Sequence, residues 1–223
     1  MAVLKLGVLI SGRGSNLQAL IDACATEDFP AKIELVISNK PGAYGLERAA
    51  TAGIATDVIE HRDFADREGF DAELDRRLKA AGVQCVCLAG FMRLLSAEFV
   101  RSWKDRLVNI HPSLLPSFKG LDTHQRTIEA GVRLAGCTVH FVRPEMDEGP
   151  IIVQAAVPVL PDDDADSLAA RILVQEHRIY PQAVRLIAEG RIRTVSDRVV
   201  FTDPASIGGG TDAIVAPAPG NQQ

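Results

Sequence analysis

Apolar runs and helical repeats alternate over the first half of this chain. Leu4–Ile10 is an apolar run that ends at Ser11-Gly12-Arg13-Gly14-Ser15-Asn16. Leu17, Leu20, Ile21 and Cys24 then recur at helical spacing. A second apolar run covers residues 33–37, residues 43–52 read as a helix stopped by Gly53, and residues 55–59 as a short strand. Residues 64–81 carry Arg67, Glu68, Glu73, Arg76 and Arg77 on one face of an amphipathic helix that Gly82 ends. Residues 85–89 are apolar without alternation, as in a parallel strand covered on both faces. A short helix at 96–103 with Ser96 as its N-cap, and a strand at 107–110, follow. This alternation predicts an α/β fold with a doubly wound, mostly parallel sheet.

The rhythm changes after residue 110. Residues 112–121 hold Pro112, Pro116 and Gly120 and read as a loop, and residues 123–130 as a helix. Residues 138–142 and 151–159 read as strands joined through a turn, which gives the sheet an antiparallel C-terminal part. Residues 163–189 form a long helical stretch, with Asp164 or Asp166 near its start, that Pro181 is expected to kink or split. Residues 192–201 read as a small hairpin, and the Gly-, Ala- and Pro-rich residues 203–223 as a disordered tail.

Composition narrows the function classes. The net charge of -5 argues against binding nucleic acid through its phosphates. There is no apolar stretch of ~20 residues to span a membrane, and the first residues read as a strand rather than a signal peptide. Cys24, Cys85, Cys87 and Cys137 make no C-x-x-C pair and no cluster with metal-ligand spacing. Plain thiols of this kind suit a reducing, cytoplasmic setting, and no metal is expected.

The loop from Ser11 to Asn16 lies at the first strand-to-helix turn, where open parallel sheets bind ligands. Glycines let backbone approach an anion, and the first N–H groups of a helix point at it. The ATP-binding P-loop would need lysine and then Ser or Thr after its second glycine, where Ser15 and Asn16 stand. The dinucleotide fingerprint would need a small residue at Leu17 and an acid near Ser38 or Asn39. A single phosphate monoester fits better than either nucleotide, although a glycine turn that merely closes the connection would have the same pattern.

Asn109 and His111 stand at i and i+2 at the end of a strand, so both project to one face before Pro112 turns the chain away. Taken alone, the spacing is equally compatible with a core or loop histidine. Asp147, in Met146-Asp147-Glu148-Gly149-Pro150, reads by itself as an ordinary turn residue.

Together these segments resemble the phosphoribosylglycinamide formyltransferases. The resemblance rests on residues 10–18, Ser38-Asn39-Lys40, residues 88–95, the run from Asn109 to Pro116, residues 138–142, residues 146–150 and Gln175-Glu176-His177, in family order over about residues 4–182. It implies one formyltransferase domain over residues 1–202, with a phosphate-binding half at about 1–110 and a folate and catalytic half at about 85–202. It also implies transfer of a formyl group from 10-formyltetrahydrofolate to a phosphorylated ribosyl glycinamide. Gly14, Ser15 and Asn16 would bind the phosphate, and Glu176 the ribose hydroxyls. Met92, Arg93, Leu94 and Leu95, with Asn109, would line the folate pocket, and Arg67 would meet the folate's benzoyl-glutamate end. Asn109, His111 and Asp147 would be catalytic. Relatives commonly carry histidine where Asp122 stands, so neither Asp122 nor His124 is given a role.

Such chemistry needs donors aimed at a developing oxyanion, which the Asn109 amide and a protonated His111 can be. A carboxylate near His111 would favour its charged form, and Asp147 could relay the proton, directly or through water. The expected partners are small-molecule substrates, without nucleic acid or membrane, on a monomer or homodimer. Two other readings share parts of the pattern. A formyltetrahydrofolate hydrolase would use water as acceptor, but the resemblance then implies an extra N-terminal domain for which a strand starting at Leu4 leaves no room. A non-catalytic phosphate-ligand-binding module would leave Asn109, His111 and Asp147 unexplained.

Overall fold

The computed structural model describes residues 3–203 and residue 216. Most of the region expected to be a tail, residues 204–215 and 217–223, lies outside the described residues. The chain begins with β1 (Leu4–Ile10), α1 (Ser15–Cys24), β2 (Ala31–Ser38), α2 (Tyr44–Thr51) and β3 (Thr56–Val58). It continues through α3 (Arg67–Ala80), β4 (Cys85–Leu88), α4 (Ala97–Ser102) and β5 (Leu107–His111). The second half holds α5 (Thr123–Glu129), β6 (Leu134–Phe141), β7 (Ile151–Pro158), α6 (Ala165–Ala188) and the hairpin β8 (Ile192–Val195) and β9 (Arg198–Phe201).

Seven strands form one sheet in the order β3-β2-β1-β4-β5-β6-β7. The pairs from β3 to β5 are parallel, and β6 and β7 add antiparallel to β5 and to each other, as the sequence pattern predicts. The chain moves outward from β1 to β3 and then returns to β4 on the other side of β1. That reversal makes a crevice at the carboxyl ends of β1 and β4, the place where such sheets hold ligands.

Alternating side chains divide the core between the two faces of the sheet. Leu6, Val8, Cys85, Cys87, Val108, Cys137 and Val139 face one side, with Leu17, Ile172, Tyr180 and Val184 packed on it. Leu9, Ile37, Val86 and Leu107 face the other, under Phe70, Leu74, Phe99 and Trp103. Cys85 and Cys87 thus share a face, and the four cysteines are free thiols.

Helix starts follow local chemistry. Asp66 caps α3 by accepting from Gly69 N–H, which moves the start of that helix three residues later than the pattern predicts. Ser96 caps α4 by accepting from Phe99 N–H. Asp164 and Ser167 form a reciprocal capping box at the start of α6.

Pro181 does not split α6, which runs 24 residues through it. Proline inside a helix costs about 3 kcal/mol. Leu168, Ile172, Ile179, Val184 and Leu186 are all buried along this helix, and each fully buried apolar side chain contributes roughly 1.5–3 kcal/mol. Packing on both sides of the proline therefore outweighs the missing hydrogen bond. Tyr180, fully buried beside it, reaches Leu88 O at 2.9 Å and Val108 O at 3.2 Å, and so pins α6 beneath the ends of β4 and β5.

Candidate active site

At the end of β1 the chain turns through Gly14, which has φ +69° and serves as the N-cap of α1. A Cβ on Gly14 would lie 2.6 Å from Gly45 Cα, so the loop and the first turn of α2 meet backbone to backbone. The first bond within α1 joins Gln18 N–H to Gly14 O at 2.9 Å. The N–H groups of Ser15, Asn16 and Leu17 precede it, and the positive end of the helix dipole adds to them. Ser11 serves a different purpose. Its hydroxyl donates to Asn39 Oδ1 at 2.6 Å and accepts from Met92 N–H at 2.8 Å, which ties the ends of β1, β2 and β4 together.

Asn16 and Glu176, 160 residues apart in sequence, meet in this crevice. Asn16 Nδ2 donates to Glu176 Oε2 at 2.7 Å, and both residues are buried. Asn16 Oδ1 is buried without a partner. Burial raises the Glu176 carboxyl above its ordinary value, against the opposing effects of the Asn16 hydrogen bond and of His111.

The second cluster stands at the end of β5 and along β6. Asn109 and His111 point to the face opposite Val108 and Ile110, as their spacing predicts. Asp147 arrives from the turn between β6 and β7. Its φ of +56° is a left-handed conformation that aspartate tolerates better than most residues. Asp147 Oδ2 lies 3.5 Å from His111 Nδ1, and both side chains are nearly buried. Residues 36 positions apart in the chain are thus brought together at the end of β5.

The loop after His111 closes over this cluster. His111 Nε2 lies 3.0 Å from Phe118 O, and a carbonyl only accepts, so this nitrogen carries the proton. Gly120 N–H donates to Asp147 Oδ2 at 2.9 Å. Lys119 pairs with Glu148 at 2.7 Å, and Arg126 holds the carbonyls of Lys119 and Leu121. Earlier in the loop, Thr138 Oγ1 accepts from Leu115 N–H and donates to Ser113 O, which fixes that half to β6. His124 also lies near His111, and burial holds its pKa below the ordinary value, with the His111 charge adding to the effect.

Sequence reasoning assigned nothing to His140, which the sheet places directly across from Asn109. Asn109 Nδ2 lies 3.3 Å from His140 Nε2, and His140 Nε2 lies 3.8 Å from Asp147 Oδ1. The available signal was a histidine in an otherwise apolar strand, on the face of the sheet that Asn109 shares. Its use required the register of β5 and β6.

On the other wall, the segment after β4 presents Met92 and Leu94 exposed beside the crevice, 68% and 56% accessible. The Met92 N–H is committed to Ser11 and is not free for a ligand. Arg93 lies over the Phe70 ring at 5.1 Å, with its Nε buried and unpartnered. Arg67 opens α3 at an exposed position. Arg67 and Arg93 both act on the buried Asp71, so they share one neighbourhood. Among the described residues, no group of three or more His, Cys, Asp or Glu is placed to hold a metal ion.

The open α/β sheet thus carries a glycine turn and helix N-terminus at its switch point and an amide–imidazole–carboxylate cluster two strands away from β1. A family model described as formyl transferase matches residues 4–184. The trifunctional purine biosynthetic protein adenosine-3 of Drosophila melanogaster is 59% identical over 188 residues, covering 83% of this chain and 14% of that protein. The phosphoribosylglycinamide formyltransferase of Escherichia coli (strain K12) is 50% identical over 186 residues, covering 83% of this chain and 88% of the relative. The crystal structure of glycinamide ribonucleotide transformylase 1 from Symbiobacterium toebii matches with a TM-score of 0.88 at 50% identity, covering 90% of this chain and 95% of that one. This chain belongs to the formyl transferase family. It spans 14–19% of the length of the trifunctional relatives that it matches.

Proposed function

We propose that this protein transfers the formyl group of 10-formyltetrahydrofolate to the amine of 5-phosphoribosylglycinamide, a step of purine biosynthesis. The observation that carries the reading is the approach of His111 and Asp147 at the end of β5 beside Asn109, with Glu176, the partner of Asn16, close enough to feel the His111 charge. Residues 1–202 would act as one unit in this reaction, in the cytoplasm, as a monomer or homodimer, on small molecules and without nucleic acid or membrane.

Gly14, Ser15 and Asn16 hold the substrate phosphate on the free N–H groups at the start of α1, with the Ser15 hydroxyl as a further donor. Glu176 meets the ribose hydroxyls, and its bond to Asn16 fixes the geometry of both. Met92, Arg93, Leu94 and Leu95, with Asn109, form the folate pocket, and Arg67 meets the anionic benzoyl-glutamate end.

In the reaction the amine lone pair attacks the formyl carbon, and the carbonyl oxygen becomes an oxyanion. Asn109 and His111 donate to that oxygen, and losing one such donor costs ~2.7–4 kcal/mol in the barrier. The new C–N bond forms, the bond to N10 breaks, and the proton lost by the amine is passed to N10 with Asp147 as relay. The formyl group moves directly, without a formyl-enzyme intermediate. For His111 Nε2 to reach the oxyanion, the Phe118 carbonyl must give up its hydrogen bond, so turnover requires the 118–121 segment to move.

The test is to mix the protein with 10-formyltetrahydrofolate, with and without 5-phosphoribosylglycinamide. Formyl loss that depends on the amine is expected. Loss without the amine would make the protein a hydrolase, and no loss in either case would leave a binding module.

A further inference from the structure

We infer that His140 is a positioning residue for formyl transfer: as a neutral imidazole it holds the Asn109 amide nitrogen toward itself, so that the second N–H of that nitrogen faces the reacting oxygen. The inference rests on the reading of Asn109 as an oxyanion donor given above.

Hydrogen-bond chemistry fixes the tautomer. His140 Nδ1 lies 3.0 Å from Phe141 O, which can only accept, so Nδ1 carries the proton. If the ring is neutral, Nε2 is a bare acceptor, and it lies 3.3 Å from Asn109 Nδ2. An amide oxygen placed there would set two acceptors against each other, so the orientation of Asn109 is dictated by His140.

The surroundings favour the neutral ring. His140 is 2% exposed, and burial lowers its pKa below the ordinary value. The Phe141 carbonyl and Asp147 act in the opposite sense, and the positive charge of His111 adds to the lowering. Asp147 Oδ1, at 3.8 Å from Nε2, is beyond hydrogen-bond reach. A protonated ring would instead turn the Asn109 amide over and place its oxygen where a donor is required. The strand pairing of Asn109 with His140 makes the arrangement a property of the sheet rather than of a loop.

The test is a double-mutant cycle in the full chain, reading kcat and both KM values. His140→Leu is expected to lower kcat about 10- to 100-fold, less than the roughly 10²–10³-fold that outright loss of an oxyanion donor costs, and to leave both KM values within about threefold. In an Asn109→Ala background the same change should lower kcat by less than about threefold, because its target is gone. An unchanged kcat in His140→Leu, or an equal loss in both backgrounds, overturns the inference. Two polar variants cover the case in which leucine prevents folding. His140→Gln can return an acceptor near the Nε2 position, whereas His140→Asn reaches only as far as Nδ1. The glutamine variant should be the faster, and equal rates would count against the role. Nitrogen NMR of the wild-type protein reads the tautomer without any turnover. A protonated Nδ1 and a bare Nε2 at neutral pH are expected, and the reverse tautomer overturns the inference. Absence of wild-type formyl transfer would sink the functional reading instead, which keeps the two failures apart.

Discussion

Gly149→Ala tests how tightly the acidic turn is set. A Cβ on Gly149 would lie 1.6 Å from Phe141 O and 2.8 Å from Phe141 C, and it meets main chain rather than a flexible side chain. Gly149 is not among the positive-φ glycines, so steric contact is the barrier rather than backbone strain. To reach a contact of 3.0 Å the turn must move by about 1.4 Å. Three things depend on that spot. Phe141 N–H donates to Pro150 O at 2.9 Å, Phe141 O accepts from His140, and Asp147 sits two residues before Gly149. If the displacement carried Asp147 directly away from His111, their 3.5 Å separation would open to about 4.9 Å. At that separation the carboxylate orients the imidazole less firmly, because their electrostatic interaction falls off with distance. A 1 Å misplacement in an active site can cost about 100-fold. The expected outcome is a kcat reduced about 10- to 100-fold, with the KM for the phosphorylated amine little changed. Loss of one hydrogen bond, about 1 kcal/mol, should lower Tm by only about 2–4 °C. Steady-state formyl transfer and a thermal melt measure both quantities. A kcat within twofold of wild type, in a protein with normal Tm, would refute the claim that this turn is fixed against β6.

Further predictions follow from the same geometry. His111→Ala should lower kcat by about 10²–10³-fold while KM for the phosphorylated amine stays near wild type, and near-normal turnover would remove His111 from the chemistry. Asn16→Ala should mainly raise the KM for the phosphorylated amine; a selective effect on folate binding would mean that the two substrates sit the other way round. Glu176 has a folded-state pKa raised above the ordinary 4.5 by burial, so the folded state holds its proton more tightly than the unfolded chain does. Its relative contribution to stability is therefore fully present below about pH 4.5 and is lost as pH rises through the folded-state pKa. Glu176→Gln should accordingly raise Tm at pH 7 relative to wild type and show no such gain at pH 4, alongside a higher KM for the amine. Melts at the two pH values check the sign, and a gain confined to low pH would contradict it.

Much of the fold was legible because local rules and tertiary packing agree. Apolar residues without alternation at 85–89, and caps at Ser96 and Asp164, report burial and helix starts within a few residues of sequence. A split at Pro181 fails for the opposite reason: the local penalty is real, but it is outweighed by side chains that α6 buries along its whole length. The turn at Gly14 could be placed from its position between a strand and a helix. That Ser11 faces away to join β1, β2 and β4 could not, because its partners Asn39 and Met92 lie 28 and 81 residues further along.

The sequence by itself determined which residue types stand at the strand ends and turns, since period-two and 3.6-residue patterns are written in the chain. The tertiary structure decided what those residues touch. The proximity of Asp147 to His111, the bond between Asn16 and Glu176, and the place of His140 opposite Asn109 all follow from strand order and register. Register is a cooperative outcome of packing the entire sheet, and no window of neighbouring residues contains it.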